Sequence, residues 1–449
     1  MLSSNTHITG LWHNPVLGGE KFFGTLYIFD DNVFLELYFN QNDVQEKKGK
    51  VFIESFKENK SAVIHGYSGG PCQPQKYTLI DNYITAFETA SFKLMLTGIL
   101  RIQTKKVFEG IHLNTKDENI FYKAKVLSSY AKQWIPAPYY QMNGTGEEEV
   151  LNYSLRKNIY SLYKNDIISL NIEAGLSATK HFSISQRFEL ENRVDLVICS
   201  EKKMNYETIK QCMSFYNTFV ILLSGNNSDI LDITYCYDKN DNFKQYKQTW
   251  VQIKKTRITN NQNLVDFSTI SNLETVFTNW WHYSEQNLTA NIMLFNILQK
   301  PEVYFDDIKT ENFTQVIEAI MRYKFGETIT ISSNHLNYFK NEDQKSPPNK
   351  NIESSKLVGK FIYIFLEKYK DFFLKDFQKF FNKSDDEIII EFIKNCISIR
   401  DNYSHGGLDD NNRKYNPKLL NIILLKAIRL VLINEILELN IKEIPLESI

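Results

Sequence analysis

Apolar and polar positions alternate with a period of two in the first third of the chain and recur every three to four residues in the last third. Phe22-Phe23-Gly24-Thr25-Leu26-Tyr27-Ile28-Phe29 and Val33-Phe34-Leu35-Glu36-Leu37-Tyr38-Phe39 flank the polar triplet Asp30-Asp31-Asn32, a pattern that predicts a β-hairpin. Further strand-like runs follow at 49–56, 61–67, 76–80, 83–90, 92–102, 107–113 and 120–127. Turn clusters such as Ser68-Gly69-Gly70-Pro71 separate them. Short strands at this spacing predict a sandwich or barrel over residues 1–135.

Ile135-Pro136-Ala137-Pro138 through Glu149 has the composition of a linker. Strand patterns resume at 167–172, 182–190, 194–200, 230–237 and 244–254. Between them, Ile209, Cys212, Met213, Tyr216, Phe219, Val220 and Leu223 form one helical stripe over 205–223. Residues 150–262 thus read as a second β-rich lobe with one packed helix. From 263 to 449 the pattern is helical, with candidate helices at 271–283, 288–298, 312–324, 355–366, 369–381, 385–401 and 417–439. The expected class is α+β: a β-rich N-terminal region in two lobes, sandwich- or barrel-like, followed by an all-α bundle.

Composition narrows the function classes. A formal net charge of -1 gives no global field towards nucleic acid, so any RNA-binding surface has to be local or assembled across subunits. The five cysteines are odd in number and lack a C-x-x-C pair, which argues for reduced thiols in the cytoplasm rather than a disulfide framework or zinc knuckle. No signal-peptide pattern opens the sequence. The most apolar window, 419–437, carries Lys426, Arg429, Asn434 and Glu435, so it reads as a buried amphipathic helix and not a membrane span.

Candidate chemistry gathers at Ile399-Arg400-Asp401-Asn402-Tyr403-Ser404-His405-Gly406-Gly407, between two apolar helix-patterned segments. On a regular helix Arg400 and His405 lie roughly 140° apart. The glycines supply a helix stop, so His405 can swing back towards Arg400 on the unwinding segment. A fixed cation beside a group that exchanges protons suits chemistry on a phosphodiester. The bland alternative is a helix C-cap, with Arg400 paired to Asp401 or Asp409 and His405 on free carbonyls.

This stretch resembles the R-x4-6-H signature of the HEPN superfamily, whose members are helical bundles and in many cases metal-independent ribonucleases. The N-terminal phrase Gly10-Leu11-Trp12-His13-Asn14-Pro15, with Gly24-Thr25-Leu26 and Leu35-Glu36-Leu37, resembles the opening of the ApeA family of bacterial anti-phage proteins. Those proteins join a large β-rich region to a C-terminal HEPN domain. The resemblance implies an endoribonuclease that acts during phage infection, with tRNA as a candidate substrate, a homodimer or higher homo-oligomer built through the HEPN domain, and a phage-derived trigger. On that reading His405 is the acid or base, Arg400 holds the phosphate and Asp401 orients one of them. Tyr403, Arg413 and Lys414 are candidate RNA contacts. No metal and no cofactor are expected.

The bland readings weigh more elsewhere. Tyr403 is one tyrosine among 25 and suits packing as well as stacking. Arg413 and Lys414 also fit a solvated loop. His13 after Trp12, and His282 after Trp280-Trp281, read as packing histidines. Asp306-Asp307 reads as turn or cap chemistry before a metal pair. Two rival classes remain: a HEPN-type dimerisation and binding protein with a β-rich ligand-sensing region, and a carbohydrate- or peptide-binding β protein whose helices assemble it.

Overall fold

The computed structural model describes residues 6–15, 20–29, 32–58, 63–69, 74–92, 95–114, 118–136, 141–143, 150–152, 157–180, 188–226, 228–236, 245–248, 264–299, 306–325, 329–330, 351–352 and 417–439. The chain divides into two compact units, Met1–Met213 with Ser228–Arg257, and Ser214–Asn227 with Ile258–Ile449.

The first unit begins with β1 (Thr6–His13), β2 (Phe22–Ile28) and β3 (Val33–Phe39), an antiparallel meander. The expected hairpin is β2–β3, and β3 alternates buried and half-buried along its whole length. Two short helices follow, α1 (Gln41–Gln45) and α2 (Lys48–Glu58). Then come β4 (Ile64–Ser68), β5 (Gln75–Phe92) and β6 (Met95–Glu109). Pairings β1–β2, β2–β3, β3–β6, β6–β5, β5–β4 and β4–β1 close a six-stranded antiparallel barrel. Its interior is apolar, with Leu26, Val33, Leu35, Leu37, Leu79, Leu100, Ile102 and Phe52 of α2 fully buried.

Residues 49–56 were expected as a strand and are helical in α2. The β-rich run Val51-Phe52-Ile53 misleads, but the buried positions Gly49, Phe52 and Ser55 are three apart, a helical spacing. A capping box at Asn40 and Asp43 starts α1 just upstream. The runs at 76–80 and 83–90 are one strand, β5, which bulges between Ile84 and Ala86 and holds Asp81 at φ 58°. The runs at 92–102 and 107–113 likewise merge in β6 up to Glu109.

The sheet continues beyond the barrel. After β7 (Phe121–Ser128) and α3 (Ala131–Trp134), a small pair forms from β8 (Gln141–Asn143) and β9 (Val150–Asn152). Strands β10 (Asn158–Lys164), β11 (Ile168–Lys180) and β12 (Phe188–Met204) then pair in order, and β12 pairs with β7. Helix α4 (Tyr206–Ser224) begins at Asn205, whose side chain accepts from Thr208 N at 2.8 Å. Beyond it, β13 (Ile230–Cys236) pairs with β7, and β14 (Gln245–Gln248) bridges β13 to β6.

The second unit holds the C-terminal part of α4 with α5 (Leu273–Gln286), α6 (Leu288–Gln299), α7 (Asp306–Phe325) and α8 (Pro417–Val431). Rings interlock α4 and α5. Phe215 meets Trp281 at 5.0 Å, Phe219 meets Phe277 at 5.0 Å, and Trp280 Nε1 donates to Phe215 O at 2.8 Å. Asp306 and Asp307 are the first residues of α7.

The barrel closes around Trp12, which is fully buried and donates from Nε1 to Gly24 O at 3.2 Å. Register sets Trp12 opposite Gly66, where a Cβ would overlap the indole ring. Gly66→Ala is therefore expected to destabilise the protein by about 1–3 kcal/mol through overpacking. Urea denaturation monitored by tryptophan fluorescence checks this, and an unchanged midpoint would contradict it.

Candidate functional site

Arg400, Asp401, Tyr403, His405, Arg413 and Lys414 lie outside the described residues, as do the helices expected at 355–366, 369–381 and 385–401. The described element next in sequence is α8, which starts with Pro417, a residue suited to the first helical position. It packs against α7, and Leu424, Ala427, Ile428 and Val431 along it are buried. It also buries Asn421, Lys426 and Arg429. A π turn, Leu432–Ile436, continues it. There Leu437 N donates to Leu432 O at 2.9 Å, and Lys324 Nζ donates to Glu435 O at 2.8 Å.

One cluster of functional groups escaped the sequence reading. His13 of β1 sits opposite His65 of β4 in register, with ring centroids 5.3 Å apart. His112, just after β6, stacks on His65 at 4.2 Å with planes 7° apart. Tyr67 stacks on His13 at 5.9 Å and meets His112 edge-on at 4.6 Å, and Lys21 Nζ lies 4.8 Å from the Tyr67 centroid. The two stacked rings form a reciprocal clasp. His65 Nε2 bonds Leu113 O at 2.8 Å, and His112 Nε2 bonds Gly66 O at 3.1 Å. A carbonyl only accepts, so both Nε2 atoms carry protons and both rings can stay neutral. His13 Nδ1 is sealed in without a hydrogen-bond partner. The three residues are far apart in sequence, and only the β1–β4 pairing and the end of β6 bring them together.

Burial dominates their titration. It pushes His13 down to about 4, helped by His65 and then Lys21. It pushes His112 down to about 4 against the pull of its bond to Gly66 O, with His65, Lys76 and His13 pushing the same way. It also lowers His65, opposed by the bond to Leu113 O and by Glu118. Among the described residues no group of three or more His, Cys, Asp or Glu side chains is arranged to hold a metal ion. None of the described helices is long and apolar enough to cross a membrane.

The outer face of the barrel carries an apolar stripe. Leu11, Phe23, Tyr38 and Ile99 are cross-strand neighbours on β1, β2, β3 and β6, and Phe23 is 54% exposed. Beside it, Arg101 and Glu36 neutralise each other at 2.6 Å. Exposed apolar surface of this kind marks interaction sites more often than scattered single residues do.

The histidine cluster makes stability depend on pH in a defined direction. The folded state holds these imidazoles neutral below the pH at which the unfolded chain protonates them. Their contribution is complete above about 6.5 and is lost as pH falls through about 4. His13→Phe keeps a ring against Tyr67 and removes one titrating group, so its stability is expected to fall less than wild type between pH 6.5 and 4. Thermal melts across that range check this, and parallel pH profiles would contradict it.

A family model described as ApeA N-terminal domain 1 matches residues 7–280, more than half of the 449-residue chain. No curated protein and no solved structure matches it. The matched span contains the barrel, the continuing sheet, α4 and the start of α5, together with Trp12, the histidine cluster and the outer stripe. The chain belongs to the ApeA family of anti-phage defence proteins.

Proposed function

We propose that this ApeA-family chain is a metal-independent endoribonuclease of the HEPN type that cleaves RNA, with tRNA as the candidate substrate, during phage infection. The observation that carries the reading is the pairing of an ApeA N-terminal region over residues 7–280 with Arg400 and His405, five residues apart in the C-terminal part of the chain.

The chemistry follows from those side chains. One imidazole takes the proton from a ribose 2′-hydroxyl, which attacks the adjacent phosphorus. The Arg400 guanidinium stabilises charge on the phosphoryl oxygens through charge-assisted hydrogen bonds. The 5′ oxygen leaves with a proton from a second acid. One His405 cannot be base and acid in the same step, so the second is the His405 of another protomer in a homodimer. The products are a 2′,3′-cyclic phosphate and a 5′-hydroxyl. Asp401 orients Arg400 or His405. Tyr403 stacks on a base, and Arg413 and Lys414 hold flanking phosphates.

A second reading is favoured by the exposed stripe at Leu11, Phe23, Tyr38 and Ile99. There the chain is a HEPN-type binding protein whose β-rich region senses a ligand, such as a phage-derived trigger, and whose helices only dimerise.

The two readings part on substitution of the motif. His405→Ala and Arg400→Ala are each expected to cut RNA cleavage by at least ~100-fold while the protein stays folded and oligomeric. EDTA is expected to leave wild-type cleavage unchanged. Incubation of purified protein with total bacterial RNA, followed by end-group analysis, reads all of this. Cleavage that survives either substitution removes the ribonuclease reading, and protection against phage that survives both favours the binding protein.

A further inference from the structure

We infer that Lys123 of β7 and Cys199 of β12 form a redox modification site, at which peroxide joins the two side chains through a sulfur–nitrogen bond. Lys123 stands opposite Cys199 on one side and opposite Cys236 of β13 on the other. Residues opposite one another in an antiparallel pair share a face of the sheet, with Cβ atoms about 4.5–5.5 Å apart. One rung of the sheet therefore reads thiol, amine, thiol. Neither cysteine is in a disulfide. A whole strand separates them, and two strand spacings come to about 9.5 Å. A disulfide needs its Cα atoms about 4.4–6.8 Å apart, so these two thiols cannot join each other. Lys123, on its four-carbon stem, is within side-chain reach of both.

The surroundings single out Cys199. It is half-buried, whereas Cys236 is 3% exposed, so dissolved peroxide meets Cys199 first. The Cys199–Lys123 pair is the last regular rung between β12 and β7 before the register shifts towards Met204. Cys236–Lys123 is likewise the last rung between β13 and β7. Ladder ends open more readily than ladder centres. Lys123 also leans towards β12. Burial pushes the Glu173 carboxyl up, yet Lys157, then Lys125 and Lys123, hold it below the usual carboxylate range. Glu173 lies on β11, beyond β12, which puts the Lys123 charge on the Cys199 side of β7. An ammonium beside a thiol favours the thiolate, the form that peroxide oxidises.

The chemistry balances in two steps. The Cys199 thiolate attacks hydrogen peroxide: an S–O bond forms, the O–O bond breaks, sulfur gives up two electrons and hydroxide departs. Hydroxide takes a proton from the Lys123 ammonium and becomes water. The neutral amine then attacks the sulfenic sulfur. An N–S bond forms, the S–O bond breaks, and the oxygen leaves as a second water with its own hydrogen and one from the amine. Sulfenic acids condense with a neighbouring nitrogen in this way. The link staples β7 to β12 at the end of their ladder. It uses neither Arg400 nor His405, so it is independent of both functional readings above.

The test treats the reduced full-length chain with hydrogen peroxide, alkylates it in denaturant, digests it and reads the peptides by mass spectrometry. The expected product is a peptide pair joined through Lys123 and Cys199, lighter by two hydrogens than the sum of its parts and absent after dithiothreitol. Cys199→Ser and Lys123→Arg are each expected to abolish it. Lys123→Arg keeps the cation, so its Cys199 still oxidises. Cys236→Ser is expected to leave the product in place. The wild-type peptides decide the matter even where a variant fails to fold. Cys199 that remains fully alkylatable, Cys199 oxidised to sulfinic acid beside an unmodified Lys123, or a Cys199–Cys236 disulfide overturns the proposal. So does a link that survives Lys123→Arg.

Discussion

The N-terminal unit depends on one indole being enclosed where a sheet closes on itself. Trp12 is fully buried, and the strand that completes the barrel, β4, lays Gly66 directly against it. At Gly10, two pairs further along, a Cβ would overlap the Tyr67 carbonyl. The β1–β4 seam therefore closes only because side chains are missing at two positions. Closure removes free edges, which would otherwise invite other chains to pair. It also fills the barrel with side chains, so any binding has to use the outside or the ends.

The same register has a second consequence. Pairing Trp12 with Gly66 forces His13 opposite His65 on the next rung. The end of β6 then brings His112 alongside, and two imidazoles replace backbone ladder bonds by donating to Leu113 O and Gly66 O. Neutral rings suit that job, and burial keeps them neutral. The cluster is thus a by-product of barrel closure that ties β4 to the segment after β6. The helical unit is held by a different device, the interlocked rings of α4 and α5, whose apolar stripes meet at Phe215, Phe219, Phe277 and Trp281.

What could be read in advance follows from range. The β2–β3 hairpin and α4 rest on local periodicity and local caps, so the sequence displays them directly. Helix α2 was misread because Val51, Phe52 and Ile53 carry strand propensity, and packing of Gly49, Phe52 and Ser55 overrode it. Closure was hidden because β1 and β4 are some fifty residues apart, and the histidine cluster was hidden with it. The Arg400–His405 motif is a feature of local spacing, visible in sequence alone, although its side chains lie outside the described residues. Arg429 and Lys426 were visible only as polar interruptions that ruled out a membrane span. Nothing local marked them as buried.

Charge balance constrains how a chain proposed to handle RNA can attract it. With 52 basic and 53 acidic side chains, an exposed cation has acids within reach almost everywhere, and salt screens what remains. Arg101 illustrates the outcome: half exposed on the barrel, it is already neutralised by Glu36. A cation meant for a phosphate has to be kept from such partners. A near-neutral protein can then engage a polyanion at one point without being drawn to every polyanion it meets.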